Sequence, residues 1–309
     1  MNNKVLILGS TGMLGSVVSR YFLNNKDLDV RTTSRIPIGE NEYYFDVKDP
    51  KNFDAMKYIL DEFKPGVIIN CIGAIPQSGK NTHREFFGIN YQFPYRLAVN
   101  SDAYLIQPST DCVFSGIPKV PGKVNISKNS EFIEETANDL EKYDFGVSSD
   151  AYRDSKRLFD YGVATNPDIY RRVIVLRGSL IGPNVESKVG GGGLFDFVRS
   201  NCGNKIKGYT NHFWNGNTTL EFAELCEDMI LDYHSSFTGI ISLGNPKVVS
   251  KYELIRLIKE IFQFDIELEE FATPNTVDKS ITNDVIDVDS IEIQLRRLKQ
   301  WITEQGIKL

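Results

Sequence analysis

Short apolar runs alternate with amphipathic stretches along the first half of the chain. Val5 to Leu8 precedes a helical pattern from Met13 to Asn24, and then come the runs Asp29 to Thr33 and Tyr43 to Phe45. A helical stretch from Phe53 to Phe63 leads to Val67 to Cys71, a helix over Phe86 to Asn100 and a strand over Ala103 to Gln107. The runs lack polar alternation, which predicts strands covered on both faces. Helices between them predict right-handed crossovers into a parallel sheet. A helix from Ser149 to Ala164 and a buried strand from Arg172 to Leu176 continue the rhythm.

Beyond that point the pattern changes. Ile181 to Thr210 holds the tetrad Gly190 to Gly193 with a proline and several asparagines, and predicts loop around one short helix at Leu194 to Ser200. Helical periodicity returns at Leu220 to Tyr233, Lys251 to Ile261 and Ser290 to Gln305. Pro118 to Ser149, rich in Asn, Ser, Glu and Lys, reads as a long exposed excursion.

Composition narrows the function classes. With 309 residues, 41% hydrophobic and 25% charged, the chain can bury a large core and resembles ordinary globular proteins. A net charge of -6 argues against nucleic acid as the main partner. The N-terminal apolar run is too short for a signal-peptide core, and no stretch approaches the ~20 apolar residues of a membrane span. A cytoplasmic protein is expected. Cys71, Cys112, Cys202 and Cys226 show no paired spacing, and the histidines at 83, 212 and 234 are scattered, so no metal site is expected.

Gly9-Ser10-Thr11-Gly12-Met13-Leu14-Gly15 lies between the first strand and the first helix. In that setting glycines let the backbone approach a pyrophosphate, whose charge meets free amides and the helix dipole. Gly9, Thr11, Gly12, Met13, Leu14 and Gly15 are therefore candidate cofactor contacts. At the end of the second strand, where an acidic residue would grip a ribose hydroxyl, the chain has Thr32-Thr33-Ser34-Arg35. An arginine fork beside a hydroxyl suits a 2′-phosphate, so Ser34 and Arg35 favour NADPH, with NADH as the alternative. Asp46 and Val47 sit where adenine would be met, and a plain loop cap accounts for them equally well.

Tyr152 and Lys156 stand four residues apart and would project from one helix face. An ammonium ~5 Å from a phenol at an effective dielectric of ~20 would stabilise phenolate by ~3 kcal/mol, lowering its pKa by about two units. Taken alone, such a pair is common on helix surfaces. Here it follows Ser109-Thr110-Asp111, after a buried strand, where Thr110 can hydrogen-bond a carbonyl oxygen that Tyr152 protonates. Simple turn capping by Ser109 and Thr110 is the competing account.

The series Gly9-x-x-Gly12-x-x-Gly15, Asn70-Cys71-Ile72-Gly73-Ala74, Ile89-Asn90, Ser109 through Gly116, Tyr152-x-x-x-Lys156 and Arg177-Gly178-Ser179 resembles the extended short-chain dehydrogenases. More narrowly, it is similar to the dTDP-4-dehydrorhamnose reductase family. The resemblance implies a Rossmann-type doubly wound parallel sheet over residues 1–178 and a smaller, mixed substrate-binding region over 179–309, interleaved with the sheet domain. It implies NADPH-dependent reduction of the 4-keto group of a nucleotide-linked 4-keto-6-deoxyhexose. Tyr152 would give the proton, Lys156 would hold the nicotinamide ribose and tune Tyr152, Thr110 would orient the keto oxygen, and Asp111 would lie beside the substrate. Cys71, Ile72 and Gly73 would flank the cofactor, and Val113, Phe114, Trp214 and Asn217 would meet the substrate. Phe213 and Trp214 either stack on a pyrimidine or simply pack. The tetraglycine reads equally as a lid or as a flexible loop. The sugar stays open between rhamnose-type and UDP-linked 2-acetamido-2,6-dideoxy forms, and a homodimer stays open as the assembly. Epimerase chemistry on the same fold and a non-catalytic NADP-binding regulator are the alternatives.

Overall fold

Val5 to Leu8, Val67 to Asn70 and Val173 to Arg177 are buried along their whole length, as strands enclosed by helices on both faces must be. The computed structural model describes residues 3–37, 39–76, 81–114, 150–186, 193–231, 238–283 and 285–309. The predicted excursion at Pro118 to Ser149 and most of the tetraglycine lie outside the described residues.

The central sheet has seven strands, all parallel, in the order β11-β6-β5-β4-β1-β2-β3. They are β1 (Lys4–Leu8), β2 (Asp29–Ser34), β3 (Glu42–Tyr44), β4 (Val67–Asn70), β5 (Tyr104–Ser109), β6 (Val173–Arg177) and β11 (Gly239–Ser242). This is a Rossmann-type doubly wound sheet. On one face α1 (Met13–Leu23) and α8 (Thr219–Leu231) close a core around Val5, Ile7, Ile69 and Ile106. On the other, α2 (Asn52–Phe63), α4 (Phe93–Asn100) and α5 (Ala151–Thr165) cover Leu6, Leu8, Ile68 and Leu105.

The helix expected over Phe86 to Asn100 is three pieces: α3 (His83–Phe87), a π turn at Gly88–Gln92, and α4. A short α6 (Pro167–Tyr170) follows α5.

The last third is more ordered than its sequence suggests. The region expected as loop contains β7 (Leu180–Ile181), α7 (Leu194–Ser200) and β8 (Lys205–Tyr209). It is followed by β9 (His212–Trp214) and β10 (Asn217–Thr218). Small sheets pair β10 with β7, β12 (Val249–Ser250) and β14 (Val277–Asp278) with β9, and β13 (Glu267–Phe271) with β8. Residues from α7, α9 (Lys251–Phe262) and α10 (Ile291–Glu304) enclose a separate core around Phe195, Trp214, Ile258 and Leu295. β11 returns from this region to complete the central sheet beside β6, with Gly239 next to Ile174.

Candidate active site

Parallel register sets Leu8 beside both Thr33 and Asn70, and Ile69 beside Ile106, so four strands end along one edge. Open α/β sheets present ligands there. After β1 the chain turns through Gly9 at φ 81°, a left-handed conformation suited to glycine. A Cβ on Gly15 would lie 2.0 Å from the Gly9 carbonyl oxygen, so the loop and the first turn of α1 can approach only without one. Gly12 caps α1 with no side-chain acceptor. The first-turn amides therefore need an outside acceptor, and the helix dipole favours an anion.

The cleft above this turn has a volume of about 410 Å³. Gly9, Thr11, Gly12, Ser34, Arg35, Asp46, Val47, Cys71, Ile72 and Gly73 line it, as do Ile89 of the Ile89-Asn90 motif and Lys48 and Asn81, which no sequence signal singles out. Leu14 is not on its wall. It is packed in the core under α1, and Met13 lies against Gly193 instead. Arg35 is exposed at the end of β2, while Lys48 pairs with Glu85 at 2.7 Å. A cleft lined by glycine backbone and by the Arg35 cation at the end of β2 fits a phosphorylated dinucleotide.

Helix α5 begins at Asp150, whose side chain accepts from Arg153 N, and its 3.6-residue period puts Tyr152, Lys156 and Asp160 on one face. The Lys156 ammonium donates to the Pro108 carbonyl at 3.1 Å. A Cβ on Gly73 would come within 3.8 Å of it, so it points into the gap beyond β4. Burial pulls Lys156 down to about 8, against the attraction of Asp160. The Tyr152 hydroxyl meets Thr110. Burial pushes this phenol above its ordinary value; Thr110 opposes the shift, and Cys112, Asp111 and Asp150 add to it. The expected lowering of Tyr152 by Lys156 is therefore not found, because the ammonium is engaged by Pro108 and Asp160 and the hydroxyl is enclosed.

Thr110 Oγ1 donates to Asp111 Oδ1 at 3.2 Å and accepts from Cys112 N at 3.1 Å. Asp111 Oδ2 accepts from Ser179 Oγ at 2.7 Å. Behind Lys156, Arg177 Nε and Nη2 both donate to Asp160 Oδ2, at 3.1 and 3.0 Å, and Ser109 Oγ donates to Asp160 Oδ1 at 3.0 Å. That buried pair fixes the floor beneath Lys156.

A family model described as the NAD dependent epimerase/dehydratase family matches residues 5–192, which include the loop, the cleft and the Thr110, Tyr152 and Lys156 cluster. The chain belongs to the NAD dependent epimerase/dehydratase family.

Solved structures that resemble this family member extend the likeness over the whole fold. The dTDP-4-dehydrorhamnose reductase of Bacillus anthracis, in complex with NADP, superimposes with a TM-score of 0.73 at 16% identity, covering 97% of this chain and 100% of that one. The UDP-glucose 4-epimerase of Thermotoga maritima, with UDP-glucose, gives 0.70 at 13% identity, covering 98% and 99%. A Clostridium acetobutylicum dTDP-4-dehydrorhamnose reductase gives 0.67 at 19%, covering 97% and 99%. No curated protein is similar enough in sequence to match.

Asn90 has a larger part in this family member's site than its sequence suggests. The π turn aims it inward, where Oδ1 accepts from Ala74 N at 2.9 Å and Nδ2 donates to Ala74 O at 3.0 Å and Ser155 Oγ at 3.2 Å. It ties the loop after β4 to α5 between Tyr152 and Lys156. Single-turn π distortions often sit at functional sites, but nothing in the residue pattern marks them.

On the far wall Val113 is buried, and the Phe114 ring lies 5.5 Å from the Arg177 guanidinium. Trp214 is buried in β9 with the Lys251 ammonium 4.8 Å from its ring. Asn217 is a correction. Its amide donates to Leu243 O and accepts from Gln294 Nε2, both at 2.8 Å, which commits it to joining β10, β11 and α10 rather than to a ligand.

Proposed function

We propose that this protein uses NADPH to reduce the 4-keto group of a nucleotide-linked 4-keto-6-deoxyhexose. The observation that carries the reading is the contact of the Tyr152 hydroxyl with Thr110 at the strand edge, beside a dinucleotide cleft. Residues 1–178 would hold the cofactor and the proton donor, and 179–309 would supply most of the sugar contacts. The bound nicotinamide supplies a hydride to the ketone carbon.

Thr110 would turn its hydroxyl hydrogen from Asp111 to the ketone oxygen and hold it against Tyr152, which gives up its proton as negative charge builds there. A phenol held above its ordinary value stays protonated at neutral pH, which suits a donor. Lys156 would hold a ribose hydroxyl in the gap beside Gly73, with Asn90 keeping that gap open. Gly9, Gly12, Gly15 and the α1 amides would meet the pyrophosphate, and Ser34 and Arg35 the 2′-phosphate.

Epimerisation is the second reading, favoured by the family and by the fold likeness to a UDP-glucose 4-epimerase. It needs Tyr152 to remove a proton as well as give one, a role that a raised phenol resists. Following NADPH absorbance with dTDP-, UDP- and GDP-linked 4-keto-6-deoxy sugars tests both. Net NADPH consumption, lost by ~10²–10⁴-fold in Tyr152→Phe, supports reduction. Sugar interconversion without net consumption would replace it with epimerisation, and tight NADPH binding with no turnover would leave a regulator.

A further inference from the structure

Lys251 opens α9, far in sequence from Tyr152, yet its charge lies within electrostatic range of the catalytic cluster. Asp111 and Cys112 both act on its charge, and Asp111 is bonded to Thr110, which meets Tyr152. Tyr152, Thr110 and Asp111 follow one another in contact, and Lys251 stands beyond Asp111, near enough for the two charges to act on each other. Beneath the ammonium is the Trp214 ring, at 4.8 Å. The small sheet of β12, β9 and β14 holds this arrangement: Trp214 pairs with Val249, just before Lys251, and Phe213 pairs with Asp278, just before Lys279. Lys279 Nζ donates to Phe114 O at 2.8 Å and anchors the 111–114 segment. Two lysines from the C-terminal region thus converge on one strand end in a chain of net charge -6.

The surroundings leave Lys251 under-compensated. A strongly hydrated ammonium taken from water needs anionic oxygen, and a ring face replaces only part of that. The Asp111 oxygens accept from Thr110 and Ser179. Among the described residues Lys251 forms no ion pair, and the neighbouring His212 is a second potential cation, held below its ordinary value by burial first and by Lys251 second. Asp278, the nearest acidic residue along β14, accepts from Ser280 N and Ser280 Oγ at 2.9 and 2.6 Å.

We infer that Lys251, seated on Trp214, binds a phosphoryl oxygen of the substrate's nucleoside diphosphate and so fixes the reach of the sugar into the Thr110 and Tyr152 cluster. The inference rests on the nucleotide-sugar reading and deepens it. A lysine in this place acts as a point charge on the diphosphate, indifferent to the base, so it selects for the diphosphate rather than for the nucleoside.

The test is titration of the NADP-loaded protein with UDP and dTDP, with uridine and thymidine, and with free glucuronate, followed by calorimetry. Lys251→Met and Lys251→Gln should weaken UDP and dTDP by about ten- to a hundredfold, the scale of one charge-assisted contact, and leave the nucleosides unchanged. Lys251→Arg should restore most of the affinity, and Lys247→Met, at an exposed lysine nearby, should change nothing. Unchanged diphosphate affinity in both neutral variants overturns the inference. So does a wild-type protein that binds no nucleoside diphosphate, or a loss confined to glucuronate, which would move the charge to the sugar. If no 4-keto sugar is reduced but Lys251-dependent UDP binding stands, the reductase reading fails alone.

Discussion

Lys156 is cationic below about pH 8 and neutral above it, because burial pulls it down more than Asp160 holds it up. Its proposed task is to hold a ribose hydroxyl, and an ammonium donates more strongly than an amine. The Michaelis constant for NADPH should therefore stay flat to about pH 7.5 and rise through pH 8–9, while Lys156→Gln should show a high constant with no such limb. Initial rates at varied NADPH across pH 6–10 check this, and a limb that persists in the variant would assign it elsewhere. At this scale the sequence was legible where chemistry follows local spacing. Tyr152 and Lys156 share a face because four residues nearly complete a turn, and Thr110 follows a recognisable strand. It was not legible where a side chain's task depends on distant neighbours. Asn217 is bound by Gln294, and Lys251 is an ordinary helix-opening lysine until Trp214 and Asp111 are placed beside it.

Elements decide which cofactor the cleft accepts. β2 ends level with β1, bringing Ser34 and Arg35 onto the cleft wall while the nearby carboxylate of Glu42 accepts from Ser10 Oγ at 2.6 Å. Arg35 is thus the cation presented at that strand end. Arg35→Ala should raise the Michaelis constant for NADPH by about ten- to a hundredfold, as loss of a charge-assisted contact to phosphate does, with NADH little affected. Equal losses for both cofactors would show that Arg35 supports the loop and not the phosphate. Six of the seven central strands and their crossover helices could be read from the chain because each carries its own period or apolar run, whereas β11, which returns from the C-terminal region, was not singled out. The π turn and the two-residue strands β7, β10, β12 and β14 could not, since a pair of residues has no period and is defined only by its partner.

Across the whole molecule, α8 joins the cofactor helix to the C-terminal region through its acidic side chains. Glu227 accepts from Tyr21 and Asn25, at 2.5 and 2.7 Å, beside α1, while Glu221 and Glu224 meet Arg297 of α10. Burial pushes Glu221 up to about 7; Arg297 opposes this, and Glu224 and Asp289 add to it. A carboxyl raised in the folded state binds a proton there that the unfolded chain, with a pKa of about 4.3, has already released. Folding stability from this group is therefore highest in acid and is lost as pH rises between about 4.3 and 7, by at most ~4 kcal/mol and by less once solvent screening of this partly buried group is counted. Glu221→Gln cannot titrate, and Arg297 keeps Asp289 at 2.9 Å and Glu224 at 3.0 Å as partners. Denaturant midpoints taken from pH 5 to pH 8 should fall less steeply in the variant than in the wild type, leaving the residual slope of Glu224, which is also raised by burial. Parallel slopes would mean that Glu221 is ionised throughout and that Arg297 outweighs the cost of its burial. The same helix links α1, through Tyr21, to α10, through Arg297, so a proton at Glu221 changes how firmly α8 holds these two helices together.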